Sequence, residues 1–182
     1  MKIGKYEFRN YTYVMAIINL TPDSFFAPSR KDEYTVLKAV ENAVTDGAAV
    51  IDLGAQSTRP NYAEVSADEE ISRLARPLEL IKRNFDVPVS VDTYYTECAA
   101  FALDAGADMI NDVWGLTYGG DMAGVIAKRK ASVCIMHNAR RPLAGDIFPQ
   151  ITGFLKNSVS LALNAGIDGD AICVDGGIGF AK

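Results

Sequence analysis

The chain has 182 residues, of which 49% are hydrophobic and 23% are charged, so it can bury a substantial core and is not a disordered tail. Its formal net charge of −5 argues against a surface that neutralises nucleic-acid phosphates. No apolar run approaches the roughly 20 residues of a membrane-spanning helix, and the first residues lack the apolar stretch of a secretory signal. We therefore expect one soluble, cytoplasmic domain over residues 1–182, with neither nucleic-acid nor membrane partners.

Short β-rich runs alternate with longer helical stretches along the chain. The aromatic-rich residues 1–13 predict a small hairpin that caps the bottom of a sheet. Six brief apolar runs, rich in Val or Ile, then predict strands that are covered on both faces. These predicted strands are Val14–Ile18, Ala49–Leu53, Val89–Asp92, Asp108–Asn111, Ser132–Met136 and Ala171–Asp175.

Helical patterns lie between these runs. Valines at four-residue steps lead up to Gly47, which is typical of a helix C-terminus. An apolar stripe at three- and four-residue steps covers 71–85, but it contains Pro77. The proline predicts a kink, or a short preceding helix, rather than one straight rod. Weaker helical patterns cover 94–106, 121–130 and 151–166.

The alternation of strands and helices predicts a parallel sheet, either a barrel or a doubly wound open sheet. Each predicted strand runs into hydrogen-bonding side chains at its C-terminal end. In a parallel barrel those ends converge on one mouth, where active sites of this architecture lie. The alternative is that such residues only cap the following helices. The side chains concerned are Asn19, Asp52, Gln56, Asp92, Asn111, Asp112, His137, Asn138 and Asp175.

Carboxylates and amides in one mouth suit the recognition of a polar heterocycle, because they accept hydrogen bonds from ring N–H and amino groups. A hydrolytic triad is not expected, since there is no G-x-S-x-G elbow and His137 is the single histidine. Three widely spaced cysteines show no zinc-ligand spacing and indicate free thiols. No nucleotide-binding glycine loop is present.

Two loops follow the first two strands. In the first, Asn19 and Asp23 have the oxygen ligands that Mg²⁺ prefers. In the second, Arg59 is suited to hold a phosphate or carboxylate. The residues alone leave open a simpler interpretation, in which the first loop is a turn and helix cap and Arg59 is a solvated charge.

Six motifs carry a family resemblance that spans essentially the whole chain. The strings MAIINLTPDSF at 15–25 and AAVIDLGAQSTRP at 48–60 resemble the first two signatures of dihydropteroate synthases. The remaining four follow in the family's order, each at a predicted strand end: SVDT at 90–93, GADMIND at 106–112, MHN at 136–138 and DGGIGF at 175–180.

The resemblance implies a (β/α)₈ TIM barrel of which this chain supplies about six βα units, stopping before strands 7 and 8. It implies the transferase reaction of folate biosynthesis, in which hydroxymethyl-dihydropterin diphosphate and p-aminobenzoate give dihydropteroate and pyrophosphate. It also implies Mg²⁺ as a cofactor and a homodimer for the full-length protein.

The resemblance also assigns site residues. Asp92, Asn111 and Asp175 are implied to hydrogen-bond the pterin ring, with Met136 packed beside it, and Asn19 is implied to contact the metal and the diphosphate. A closing loop would bring Thr58, Arg59 and Pro60 to p-aminobenzoate, in a pocket lined by Phe180. The catalytic residues expected from the two loops are Asp23, Thr58 and Arg59.

Some features depart from the family's pattern. Ala27 replaces a carboxylate in the first loop, Gln56 stands where Glu is usual, and Gly176 replaces a proline. The family's Ser-Arg-Lys and Arg-x-His motifs are absent, so the chain alone is expected to be inactive if it lacks the C-terminal third. Two alternatives follow: a non-catalytic pterin-binding homologue and a pterin-dependent methyltransferase domain. The NLTPDSF and STRP loops argue against the second.

Overall fold

A computed structural model describes residues 1–9, 11–20, 30–56, 65–139 and 143–180. Within these ranges a hairpin precedes strands that alternate with helices. The strands are β1 (Lys2–Ile3), β2 (Tyr6–Glu7), β3 (Val14–Asn19), β4 (Ala48–Gly54), β5 (Val89–Asp92), β6 (Met109–Asp112), β7 (Ser132–Met136) and β8 (Ile172–Asp175). The helices are α1 (Arg30–Thr45), α2 (Ala67–Asn84), α3 (Thr96–Asp104), α4 (Met122–Lys128) and α5 (Ile147–Ala165), and a 3₁₀ turn, Gly169–Ala171, precedes β8.

The six strands β3 to β8 form one parallel sheet in chain order, so each strand pairs with the next one along the sequence. A doubly wound sheet reverses its strand order at a switch point, which does not happen between β3 and β8. The sequential order with helical crossovers is the arrangement of a (β/α) barrel, of which the described residues supply six units. This confirms the barrel prediction over the open-sheet alternative.

The outer face of the sheet, which the helices cover, holds the main hydrophobic core. Strand residues such as Ile51 and Val91 are fully buried there against helix residues such as Leu74, Leu78 and Ile126. Because side chains alternate along a strand, the residues between these apolar positions point to the opposite, inner face of the sheet. The fold therefore leaves the inner face free to carry polar groups.

Helix α2 has clear capping signals at its N-terminus. Ser66 accepts a hydrogen bond from the Glu69 backbone N–H at 3.2 Å, and the acidic residues 68–70 occupy the first turn. The structure has one continuous helix through Pro77, so the expected short preceding helix is wrong. Leu74 and Leu78 on either side of the proline are fully buried, and this packing against the sheet holds the helix together.

The first helix ends as its sequence predicts. Helix α1 stops at Thr45, and Gly47 follows with a φ of 98°, a left-handed conformation that glycine adopts without a Cβ clash. Its inward-facing Val36 and Val40 are buried in the outer core. No helix within the described residues is long and apolar enough to cross a membrane.

The N-terminal hairpin closes the bottom of the sheet, as expected. Strands β1 and β2 pair antiparallel around a turn at Gly4 and Lys5, within the residues 1–13 where the hairpin was expected. Ile3 is buried in a cluster with Val50 and Met109 of the inner face, and the Ser132 hydroxyl donates to the Lys2 carbonyl at 2.8 Å. The opposite end of the sheet, at the strand C-termini, stays available for a ligand.

Candidate functional site

A row of inner-face residues crosses the sheet near the C-terminal ends of the strands. Asn19 pairs in register with Gly54, Gly54 with Asp92, and Asp92 with Asn111, so the four residues lie on four neighbouring strands. The sequence predicted that the strand ends converge on one mouth, and the register of β3 to β6 brings three of the predicted site residues into a single row.

Gly54 makes room for the two side chains on either side of it. A Cβ built at this glycine would lie 3.4 Å from Asn19 Oδ1 and 3.9 Å from Asp92 Oδ2. Both oxygens therefore border the same small space above the Gly54 backbone. Because glycine occupies that space with only a hydrogen, a ligand atom can approach the strand ends closely there.

Asp52 lies on β4 two residues before Gly54, so it is the preceding inner-face residue of that strand. Its carboxyl contacts the side chain of Asn111. The Asn111 Nδ2 group donates to Asp52 Oδ2 at 3.3 Å. In this contact the amide nitrogen of Asn111 faces Asp52, so the amide oxygen faces away from it. Asp52 is 2% exposed, and burial raises the pKa of its carboxyl. This contact fixes which atom Asn111 presents to a ligand.

Asp92 lies in a strongly acidic environment. Burial raises the pKa of Asp92 well above its usual range, and the neighbouring carboxyls of Asp52, Glu70 and Asp112 raise it further. The ionised form of such a carboxyl is stabilised by any ligand that brings N–H donors or positive charge into the mouth. Perturbed carboxyls of this kind are typical of functional sites.

Met136 and Asp175 are register partners on β7 and β8, beyond the row that contains Asn111. One oxygen of the exposed Asp175 accepts a hydrogen bond from the Gly177 N–H at 2.8 Å. This bond closes the turn that follows β8.

An aromatic wall stands beside Met136. We give this name to the rings of Tyr94, Tyr95, Trp114 and Tyr118, which pack with Met136, Val113 and Phe180 in one cluster. The Tyr94 ring lies 4.3 Å from that of Tyr118 and 4.6 Å from that of Tyr95. Two predicted binding residues, Met136 and Phe180, therefore share one apolar surface. Sequence reasoning missed the wall itself. The adjacent residues Tyr94 and Tyr95, which follow β5 after Thr93, were a usable signal.

The wall also holds the two ends of the segment that carries the Ser-Thr-Arg-Pro motif. On one side, Gln56 Nε2 donates to the Tyr94 hydroxyl at 2.6 Å, and Arg73 Nη1 donates to the Ala55 carbonyl at 2.9 Å. On the other side, the Tyr95 hydroxyl donates to the Val65 carbonyl at 3.0 Å. Gln56, which stands where the family usually has Glu, thus serves a structural contact to the wall.

Glu70 is a second buried acid that sequence reasoning missed. It is 1% exposed on helix α2, and burial raises the pKa of its carboxyl to about 7. Hydrogen bonds from Thr93 and Cys98 and the charge of Arg73 act in the opposite direction and only partly offset burial. Glu70 adds to the acidic environment of Asp92 from behind the strand.

Two strand-end residues do not face the mouth. The carboxylate of Asp112 accepts hydrogen bonds from the backbone N–H groups of Trp114 and Leu116, both at 2.8 Å. It therefore stabilises the loop that follows β6. The ring of His137 is 3% exposed and packs edge-to-face on Phe154 of α5 at 4.9 Å. Neither residue caps the following helix: Asp112 holds the loop that precedes α4, and His137 packs against α5.

Four predicted site residues lie outside the part of the chain that the structure describes. They are Asp23 of the first loop and Thr58, Arg59 and Pro60 of the second. Ala27 lies outside it as well. Their roles stay predictions.

The donors present near Asn19 suit a hard cation. An amide oxygen and a carboxylate oxygen meet above Gly54, and oxygen ligands are the kind that Mg²⁺ prefers. Among the described residues no group of three or more His, Cys, Asp or Glu side chains forms a metal-binding cluster. A metal held here therefore needs further oxygens from a substrate, as is usual for Mg²⁺ bound with phosphates.

The sequential parallel strands and the polar inner-face row are those of a (β/α)-barrel protein with a binding site at the strand ends. The pterin binding enzyme family matches residues 15–182. The dihydropteroate synthase of Clostridium beijerinckii is 43% identical over 185 residues, covering 100% of this chain and 69% of the relative. That of Streptococcus pyogenes is 42% identical over 186 residues, with the same coverage. The chain belongs to the dihydropteroate synthase family.

Solved structures give the same result. A dihydropteroate synthase from Clostridium difficile, solved in the presence of pteroic acid, superposes with a TM-score of 0.92 at 39% identity, covering 97% of this chain and 68% of that one. The Burkholderia cenocepacia enzyme, complexed with 7,8-dihydropteroate, has a TM-score of 0.84 at 31% identity, covering 95% and 61%. The family's members are transferases, and the predicted fold and activity class are confirmed.

Proposed function

We propose that the mouth binds the pterin ring of hydroxymethyl-dihydropterin diphosphate through Asp92, Asn111 and Asp175. The observation that carries this proposal is the register row, which sets the Asp92 carboxyl beside the Asn111 amide on the inner face. A pterin is a flat heterocycle whose N–H and amino groups need acceptors. Ring donors that replace water at Asp92 favour its ionised form, which burial otherwise disfavours.

The contact between Asp52 and Asn111 determines which edge of the pterin ring can face Asn111. Because the Asn111 amide nitrogen is used by Asp52, its oxygen is the atom that accepts from the ligand. Acceptors from Asp92 and Asn111 therefore line one edge, and the edge of the ring that carries N–H groups faces them. Met136, buried to 3% exposure next to the aromatic wall, supplies an apolar surface for the flat face of the ring.

The second substrate, p-aminobenzoate, is proposed to bind on the side of Phe180. This ring packs in the same cluster as Met136, so an aromatic amine there lies next to the pterin. Thr58, Arg59 and Pro60 are proposed to cover it, with Arg59 neutralising charge. The solved Xanthomonas albilineans dihydropteroate synthase contains 4-aminobenzoic acid, and it has a TM-score of 0.87 with this chain at 32% identity.

Asn19 and Asp23 are proposed to hold Mg²⁺ together with oxygens of the diphosphate. When bound, the metal supplies positive charge that stabilises the leaving diphosphate. The Asn19 amide oxygen borders the space above Gly54 and thereby orients the phosphate end of the substrate away from the ring-binding end of the row.

The proposed reaction breaks the bond between the pterin methylene carbon and the diphosphate oxygen, and forms a bond from that carbon to the amine nitrogen. The amine loses one proton, and pyrophosphate leaves. Positive charge develops on the methylene carbon as the diphosphate departs. Asp92, whose ionised form is favoured once ring N–H donors bind, supplies negative charge at the mouth that stabilises this positive charge, which is electrostatic catalysis by a positioned group.

Two measurements on the purified chain test this proposal. Calorimetry with pteroic acid reports binding, and an assay of dihydropteroate formation reports turnover. Asp92→Asn is expected to weaken pteroic acid binding by about 1.5–3 kcal/mol, because it removes a charge-assisted hydrogen bond. Asp86→Asn is the matched control, since Asp86 pairs with Lys5 at the opposite end of the sheet.

The outcomes separate the candidate functions. Binding that depends on Asp92, together with turnover, supports the synthase. Binding that depends on Asp92, without turnover by the full-length gene product, supports the non-catalytic homologue, for which Ala27 is the motivation. Equal loss in Asp92→Asn and Asp86→Asn contradicts the assignment of the mouth. A cytoplasmic location and a homodimer of the full-length protein stay predictions.

A further inference from the structure

Two of the three cysteines face each other on the inner face of the sheet. Cys134 on β7 and Cys173 on β8 are direct register partners. Both pack in the inner-face cluster with Ile3, Val50 and Met109, and Cys134 is also the register partner of Asn111 on β6. Neighbouring strands lie about 4.8 Å apart, which brings two side chains on the same face within reach of one bridging atom.

The two thiols interact with each other. Cys134 donates a hydrogen bond to the sulfur of Cys173, which raises the pKa of Cys134 and lowers the pKa of Cys173. Cys134 is 8% exposed, whereas Cys173 is half-buried and lies two residues before the exposed Asp175. Cys173 is therefore the more accessible and the more readily ionised thiol of the pair.

We propose that Cys134 and Cys173 form a dithiol site that binds trivalent arsenicals through both sulfurs. For an organic arsenic(III) oxide, two As–S bonds form, the As=O bond is lost, and the oxygen leaves as water with the two thiol protons. Arsenic keeps its oxidation state, so no oxidant or reductant is needed. Soft thiolate ligands suit such a centre.

The residues around the pair suit a centre that is bound by two sulfurs, such as arsenic(III), better than a structural zinc. Zinc sites need four ligands, and no group of three or more ligating side chains occurs among the described residues. Cys98 cannot join the pair, because it is fully buried on α3 beside Glu70 and Thr93, on the outer side of the sheet. This inference does not depend on the proposed function, since it rests on the register of β7 and β8 alone.

Phenylarsine oxide and intact-protein mass spectrometry test the site. The wild-type chain is expected to take up one equivalent, and the adduct should resist about 10²-fold more mercaptoethanol than an adduct on one thiol, because the second sulfur acts at high effective concentration. Dithiothreitol, a dithiol competitor, should remove it. Cys98→Ala is the matched control and should behave as wild type.

Cys134→Ser and Cys173→Ser should each lose the resistance to mercaptoethanol. If either serine variant unfolds, as circular dichroism shows, the alanine variant at the same position replaces it. The proposal is overturned if the wild-type adduct is released by the monothiol as readily as those of the single variants, if no adduct forms, or if Cys98→Ala abolishes the resistance.

Discussion

Glu70→Gln tests the buried acidic environment behind Asp92 through the pH dependence of folding. Glu70 is 1% exposed, and its pKa rises from 4.5 to about 7 in the folded chain because burial disfavours the charged form. Between these two values the folded state holds a proton that the unfolded state has lost. The free energy of unfolding therefore falls as the pH rises through this window, and it levels off above about pH 7.

The difference between the two pKa values corresponds to about 3 kcal/mol of lost stability once the carboxyl is ionised in both states. Glutamine has nearly the same shape but does not ionise, so Glu70→Gln removes this loss. Urea unfolding of both proteins, followed by circular dichroism, measures the effect. We expect the stability of the variant relative to wild type to increase by about 2–3 kcal/mol between about pH 5 and about pH 8.

Glu79→Gln is the matched control on the same helix. Glu79 is exposed, and hydrogen bonds from Arg76 and Arg83 lower the pKa of its carboxyl. It is therefore ionised throughout this pH window in both states, and the stability difference from wild type should not change with pH. If Glu70→Gln shows the same flat difference as Glu79→Gln, then the Glu70 carboxyl is not buried as an acid and the argument is wrong.

Three further predictions concern the mouth and the core. Asp175→Ala should weaken pteroic acid binding by about 1.5–3 kcal/mol, measured by calorimetry, and unchanged affinity places the ring elsewhere. Gly54→Ala should leave the free energy of unfolding within about 1 kcal/mol of wild type but weaken the same binding, because the new methyl group fills the space between Asn19 and Asp92. Leu74→Ala should cost about 2–5 kcal/mol in urea unfolding, since Leu74 is fully buried in the outer core, and a loss below about 1 kcal/mol contradicts that packing.

The strands and the row of site residues were predictable because two simple rules apply to them. Doubly covered strands are continuous apolar runs, and the six predicted runs match β3 to β8 to within one residue at most ends. The carboxyl ends of parallel strands share one edge, which predicted the proximity of Asp92 and Asn111.

The apolar pattern alone could not predict which of two adjacent polar residues faces the mouth, although the family resemblance assigned Asn111. Asn111 and Asp112 are neighbours at the end of β6, and the alternation of side chains sends only one of them inward. The register that places Asn111 beside Asp92 also turns Asp112 towards its own loop. A shift of one residue in that register reverses the assignment, and the alternation of apolar residues contains no separate signal for it.

Glu70 and the aromatic wall depended on contacts between distant parts of the chain. Glu70 follows two other acids in the first turn of α2, a position where solvated acids are common. Its burial comes from the rotation of α2 against the strands. The contact between Tyr94 and Tyr118 joins two loops that only the fold brings together. Local patterns indicate neither feature.

A crystal structure of the chain with pteroic acid is the most direct test of the central claim. The account predicts that ring nitrogen atoms of the pterin lie within about 3.2 Å of a carboxylate oxygen of Asp92 and of the amide oxygen of Asn111. It also predicts that the flat face of the ring contacts Met136. A ring bound away from these side chains, or one that meets the amide nitrogen of Asn111 instead of its oxygen, contradicts the account.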